Sequence, residues 1–268
     1  MDLYNLKNKK LTQVESKPFN LEKDIQTIIE ENIQELFGIQ FVTSEFSIGD
    51  FRLDSLCFDE ETNSFVIIEY KKHKSYSVID QGYSYLSLML NNKSDFILEY
   101  NENNKDSLKR DDVDWSQSRI IFISPSFNTY QKNSVNFKDV PFELWEIKRF
   151  SNNVISLNQH LPSSKESIQK IEGNKNSVIK NVGKEVKVYD EEDTMNGKNV
   201  SKEIKDVYYK IRDEVSSWDD LNINCKKNYI SFKKNKKPFV YLNFRKNYIR
   251  VHLLNSIKHL KDGTWGGR

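Results

Sequence analysis

At 268 residues the chain can hold one large or two modest domains with real cores. Its mean hydropathy of −0.71, with only nine glycines and five prolines, suggests a soluble protein with few long flexible linkers. No apolar run approaches the roughly 20 residues that span a bilayer, and the start MDLYNLKNKK has no signal-peptide core, so a transport role is excluded and the cytoplasm is the expected location. Cys57 and Cys225 lie far apart with no Cys-x-x-Cys pair, and His73, His160, His252 and His259 show no ligand spacing. Neither a zinc site nor a disulfide framework is indicated, and Cys57 reads as a small buried hydrophobe in a strand.

The first periodic segment is 21–37, where Ile25, Ile29, Ile33 and Leu36 mark a buried helical stripe flanked by Ile28 and Phe37. At 100° per residue Glu22 continues that stripe one turn toward the N-terminus, whereas Glu31 falls almost opposite it. Of these two, Glu22 is the acid placed to reach a site on the sheet, with Glu31 a surface residue. The alternative for Glu22 is a first-turn carboxylate favoured by the helix dipole.

The segment 51–72, FRLDSLCFDEETNSFVIIEYKK, reads as two apolar strands joined by a polar turn. Side chains alternate faces with period two, so a hairpin closing at Phe58 and Phe65 puts Leu56 opposite Ile67, Asp54 opposite Glu69 and Arg52 opposite Lys71. Two carboxylates and a lysine on one patch of sheet are the minimum kit for metal-assisted phosphodiester cleavage. The bland alternative is a solvated sheet face held by cross-strand charge pairs. Against it, Val66, Ile67 and Ile68 form the unbroken apolar run of a strand covered on both faces, where charges are rarely placed without use. Like carboxylates at close range also repel unless a cation or a raised pKa relieves them. A helix over Val78–Asn91 follows, with Gln81 and Tyr85 four apart on one side and Val78, Leu86, Met89 and Leu90 available for packing.

Taken in order, LEKDIQTIIEEN, FRLD, IIEYK and QGYSY resemble the PD-(D/E)xK, restriction-endonuclease-like nuclease superfamily, in the branch with a Gln-x-x-x-Tyr helix. The resemblance stops near Phe150 and lacks the proline of the superfamily's name, since Leu53 precedes Asp54. It implies a mixed α/β sheet flanked by helices and a nuclease acting on DNA more than RNA. Asp54 and Glu69, with Glu22, would ligate Mg²⁺ or Mn²⁺, helped by the Tyr70 carbonyl. Lys71 would orient or activate water, and Gln81 and Tyr85 would brace the lysine and the substrate backbone. Rival readings are a catalytically silent nucleic-acid-binding module that keeps the fold, or a protein-interaction subunit of a defence or repair assembly. A homodimer or larger assembly is compatible with all three.

Beyond the Gln81 helix the pattern predicts a strand at 95–100, a polar loop over 101–118, the strand RIIFIS at Arg119–Ser124, a helix around 129–137, and a strand ending at Phe150. The nuclease-like domain is thus expected over 1–158. The stretch 159–199 is polar and turn-rich and reads as a partly disordered linker. A smaller α+β domain is expected over 200–268: a helix with Val200, Ile204, Val207, Tyr208, Ile211 and Val215 at helical spacing, then the strands NYISFKK, FVYLNFRK and YIRVHLL. The region resembles a small domain that follows this nuclease type in bacterial proteins, which supports a boundary and no role.

Between Lys226 and Arg268 there are twelve basic residues, opposed only by Asp262. The expected nucleic-acid contacts are Lys233, Lys234, Lys236, Lys237, Arg245, Lys246 and Arg250 here, with Arg52 and Lys72 in the first domain. Interleaved Tyr229, Phe232, Phe239, Tyr241, Phe244 and Tyr248 offer base stacking, or alternatively form an ordinary core behind a solvated basic face. The abrupt ending DGTWGGR leads us to expect an incomplete last element.

Overall fold

The computed structural model describes residues 2–72, 77–171, 176–234 and 237–254. Two compact units divide the chain, Met1–Val188 and Tyr189–Arg268. The first opens with a hairpin of β1 (Leu3–Lys7) and β2 (Lys10–Val14), then β3 (Ser16–Lys17), α1 (Glu22–Glu30) and α2 (Ile33–Phe37). The strands β4 (Gln40–Ile48), β5 (Phe51–Asp59) and β6 (Ser64–Tyr70) form an antiparallel meander, followed by α3 (Val78–Asn91) and α4 (Lys93–Asn103). Then come β7 (Arg119–Ser124), α5 (Thr129–Ser134), β8 (Phe142–Phe150), β9 (Ile155–His160), α6 (Ile168–Ile171) and α7 (Ser177–Glu185).

These strands make a seven-stranded mixed sheet in the order β3-β8-β7-β6-β5-β4, with β9 also on β8. β6, β7 and β8 run parallel and the remaining pairs antiparallel. Every residue of β6 is buried, because helices cover both faces. Val66, Ile68 and Tyr70 point to one core with Ile25, Ile29 and Ile33 of α1 and α2. Phe65 and Ile67 point to the other, with Val78, Tyr85, Leu86 and Met89 of α3 and Phe96 and Tyr100 of α4. This is the expected mixed α/β architecture, sheet flanked by helices, with a separate smaller domain.

Three expectations need correction. The segment 95–100 is helical and not a strand: Phe96 and Tyr100, four apart, are buried together while Leu98 is 56% exposed. A strand would have put all three on one face, so the four-residue period wins. The helix expected over 21–37 breaks at Asn32 and ends at Gly38, whose φ of +68° suits glycine. The supposed linker 159–199 is divided between the two units. Its residues to 188 belong to the first, where Ile168, Ile179, Val182 and Val186 are buried against the α3-side core and the Lys187 N–H donates to the Ser116 carbonyl at 2.8 Å. Sparse apolar residues among many polar ones look like a linker by composition, yet their spacing suffices for helices that pack.

The second unit contains α8 (Glu191–Asn196), α9 (Lys202–Ser216) and four strands, β10 (Leu221–Cys225), β11 (Ile230–Lys234), β12 (Lys237–Arg245) and β13 (Tyr248–Leu253). The strands pair antiparallel in sequence order. Tyr208 and Val215 of α9 pack with Ile230, Phe232, Leu242 and Phe244 on one face of this sheet. Phe232 and Phe244 are therefore core residues and unavailable for base stacking.

Candidate active site

The site lies where β5 and β6 part. Their ladder holds the expected register, with Leu56 opposite Ile67 and Phe58 opposite Phe65, and its last pair is Ser55 with Ile68. One residue on, the side chain of Asp54 takes over from the backbone: its Oδ2 accepts the Tyr70 N–H at 2.9 Å. The Lys71 N–H turns the other way and donates to the Ile123 carbonyl of β7 at 2.8 Å. Asp54 and Glu69 are thereby held side by side at a strand end on the α3 face.

Glu69 is 4% exposed and its Oε1 is heavily engaged. It accepts from Lys71 Nζ at 2.8 Å, from Gln81 Nε2 at 2.8 Å and from the Tyr85 hydroxyl at 3.4 Å. Gln81 Nε2 also donates to the Tyr85 hydroxyl at 2.8 Å. Gln81 and Tyr85 thus brace the carboxylate and not, as expected, the lysine; the four-residue spacing on α3 brings both to the same atom. Among the described residues, Glu69 Oε2 and Gln81 Oε1 are buried with no hydrogen-bond partner. An unpartnered carboxylate oxygen in a low-dielectric site is costly and calls for a cation or a proton.

The electrostatics agree. Burial first, and then the charge of Glu69, push the Asp54 carboxyl up to about 6, with Glu22 adding to the rise. The Tyr70 N–H and Lys71 pull in the opposite direction. Burial and the neighbouring Glu69 also push the Tyr85 hydroxyl upward, which keeps it a donor. Two hard oxygen donors at close quarters, one of them unsatisfied, fit a divalent cation.

Glu22 opens α1, whose first turn is tied by Asp24 Oδ2 accepting the Leu21 N–H at 3.0 Å. Its Oε1 accepts the Lys72 N–H at 2.6 Å, which brings α1 round to the end of β6. Among the described residues no three His, Cys, Asp or Glu side chains gather as a metal cluster, so Glu22 is a neighbour of the Asp54–Glu69 pair and not a third member of a preformed one. Glu31 is exposed, as expected. The Lys72 ammonium is held by the Asn20 carbonyl. Arg52 departs from expectation: it pairs with Ser47 of β4 and its guanidinium engages Glu45, because the β5–β6 ladder ends before it could face Lys71.

Two features escaped the sequence reading. On the opposite face of the same strands, Glu30 Oε1 accepts from Gln26 Nε2 at 2.8 Å, Ser44 Oγ at 2.9 Å and Ser55 Oγ at 2.6 Å. Gln26 Nε2 also lies 3.1 Å from the Asp54 carbonyl, and Ser55 Oγ lies 3.0 Å from the Tyr70 hydroxyl. This network grips the backbone on which Asp54 and Tyr70 stand. Buried Gln26 one position after Ile25 was the only sequence signal. The second feature is Gly82, where a Cβ would come within 2.5 Å of the Phe142 ring. Its lack of a side chain lets α3 settle on the sheet next to Gln81.

The expected phosphate contacts of the second unit do not form one patch. Lys233, Lys234 and Lys237 lie at the β11–β12 turn, where Lys234 pairs with Lys237. Arg245 and Lys246 lie at the other end of β12, about 26 Å away at 3.3 Å per residue. Arg250 pairs with Asn243 nearby. Lys236 lies outside the described residues.

The first unit is, by fold and site, a mixed α/β sheet protein with an acidic pair and a lysine at the end of its central strand. The chain belongs to the family of an uncharacterized protein of Haemophilus influenzae, to which it is 47% identical over 237 residues, 88% of this chain and 78% of that protein. Residues 191–265 match the family described as a domain of unknown function, DUF5655. Among solved structures it is similar to an EndoMS–double-stranded DNA complex, at 19% identity and a TM-score of 0.32, over 51% of this chain and 50% of that one. It is also similar to a repair endonuclease from Pyrococcus abyssi, at 17% identity and a TM-score of 0.27, over 45% of each chain. A third is Pyrococcus furiosus SfsA in complex with Ca²⁺, at 16% identity and a TM-score of 0.27, over 52% of this chain and 62% of that one. The chain thus spans about half to three-fifths of the length of these structures. Among the described residues no helix is long and apolar enough to cross a membrane.

Proposed function

We propose that the first unit is a divalent-metal-dependent nuclease of the PD-(D/E)xK type that hydrolyses phosphodiester bonds, in DNA rather than RNA. The observation that carries this reading is the buried, unpartnered Oε2 of Glu69 beside Asp54, with Lys71 on the same carboxylate. Asp54 and Glu69 would hold Mg²⁺ or Mn²⁺, and Glu22 would support the site from the end of α1. When bound, the cation supplies Lewis-acid polarisation of a phosphoryl oxygen and lowers the pKa of a bound water.

The chain's own residues do the rest. Gln81 and Tyr85 fix the rotamer of Glu69, so that one oxygen is spent on the protein and the other is left facing the site. Lys71 holds a positive charge at the strand end, where it can orient water or offset the negative charge that grows on the transferring phosphoryl group. Asp54, anchored by the Tyr70 N–H, presents its carboxylate without needing to reorganise. Lys72 offers charge to the substrate backbone at the edge of the site.

Incubating the purified full chain with single- and double-stranded DNA and with RNA, in Mg²⁺, Mn²⁺ or EDTA, tests the proposal. Cleavage of DNA that EDTA abolishes, and that Glu69→Gln also abolishes, is the expected result. Cleavage that persists in Glu69→Gln would point to a contaminating nuclease, and no cleavage with either metal would favour a silent binding module.

A further inference from the structure

We propose that the face of the β10–β13 sheet turned away from α9 is a binding platform for single-stranded nucleic acid. This surface lies in the second unit and stands apart from cleavage at Asp54 and Glu69. Charge is sharply divided within that unit. Residues 189–220, which include α8 and α9, hold ten acidic and five basic residues, whereas residues 221–254, which make the sheet, hold nine basic residues and no acidic one. The sheet residues bring no carboxylate of their own, and two of the basic residues, Arg245 and Arg250, lie on the face turned away from α9, which makes that face complementary to a polyanion.

Strand register says which side chains share the open face. Val240, Leu242 and Phe244 belong to the core packed on α9. The alternate residues pair across β12 and β13 as Tyr241 with His252, Asn243 with Arg250 and Arg245 with Tyr248. Toward β11 the face closes over at Ser231, which lies opposite Tyr241 and Asn224 and is fully buried, so the accessible strip is the β12–β13 half. Tyr229 sets its ring edge-on to Tyr241, with centroids 5.0 Å apart and planes at 85°. Arg245, Tyr248, Arg250 and His252 are exposed, Tyr248 to 48%.

The face therefore combines guanidinium groups for phosphates, phenol and imidazole rings for bases, and amides for base edges. Unpaired bases can stack on such rings, whereas a duplex hides its bases from a flat surface. A duplex is read in its major groove by a helix or a two-stranded ribbon, but α9 buries its apolar stripe on the sheet and carries Glu203, Asp206, Asp213 and Glu214, and a four-stranded sheet with strands about 4.8 Å apart is too broad for a groove about 12 Å wide. A single strand is thus favoured over a duplex.

Fluorescence anisotropy of the full chain with labelled single-stranded DNA, single-stranded RNA and duplex of equal length, all in EDTA, tests this without any need for cleavage. Tyr248→Ala should weaken single-strand binding about 10-fold. Arg250→Ala should weaken it and lower the salt slope by about 0.7, the value for one phosphate contact on a single strand. Lys210→Ala, an exposed change on α9, should leave binding unaltered and serves as the control. The ratio of DNA to RNA affinity then identifies the strand that the face takes. Single-strand affinity and slope unchanged in both Tyr248→Ala and Arg250→Ala would overturn the proposal, as would duplex bound as tightly as single strands. Loss of cleavage in the metal-site variants with intact single-strand binding would leave this platform standing, and the reverse outcome would remove it alone.

Discussion

Two carboxylates lie on opposite faces of the same sheet, one reaching down from a helix and one standing on a strand beneath a helix, and they are treated differently. Glu30, the last residue of α1, faces neutral donors: two serine hydroxyls and the Gln26 amide. Glu69, under α3, faces a lysine and a second carboxylate and retains a buried oxygen with no donor. The first arrangement is what a structural carboxylate requires, since each donor offsets desolvation. The second holds charge in excess of what the fold needs, and the excess is what a cation would relieve. Polar satisfaction, more than burial, separates the supporting network from the chemical one.

The largest effect expected from breaking this contrast falls on Lys71. Lys71→Ala should lower DNA cleavage at saturating Mg²⁺ by at least about 100-fold while the unfolding midpoint stays close to wild type, because the ammonium acts on developing charge. Unchanged cleavage would demote it to a counterion of Glu69. Next comes cation affinity. Calorimetric titration of Mn²⁺ should show binding that is lost in Asp54→Ala, and wild-type affinity should fall as pH drops below about 6, where a proton competes for Asp54. Equal Mn²⁺ binding by both proteins would remove Asp54 from the site.

On the other face the expected loss is stability. Glu30→Ala removes the charged acceptor shared by Ser44, Ser55 and Gln26, leaving Gln26 on the Asp54 carbonyl and Ser55 on the Tyr70 hydroxyl, and should cost about 2–3 kcal/mol in urea unfolding. A variant that unfolds like wild type would show that these donors find water instead. The smallest effect is a gain. Folded Asp54 titrates at about 6 against 3.8 for the free group, so its ionisation opposes folding of the metal-free protein. Stability contributed by its protonated form is fully present below about 4 and lost as pH rises through 6. Asp54→Asn should then be more stable than wild type by about 1–2 kcal/mol at pH 8, with the gap closing below pH 4. A gap that does not change with pH would mean that the carboxylate pays no such penalty.

The residue pattern by itself determined β5, β6, α3 and their register, because period two and a short polar turn leave little choice once Phe58 faces Phe65. It also placed Asp54, Glu69 and Lys71 together, and Gln81 and Tyr85 on one side of α3. Tertiary structure decided what local patterns leave degenerate. A short apolar run such as 95–100 fits helix or strand equally until Phe96 and Tyr100 find the same core. The segment 159–188 looks like a linker until α3 and its sheet give Ile179 and Val182 a surface to cover. Which atom Gln81 and Tyr85 serve depended on how closely Gly82 lets α3 approach Phe142. The Glu30 network joins residues from α1, β4 and β5, and only the packing of helix on sheet brings those separate elements to one oxygen.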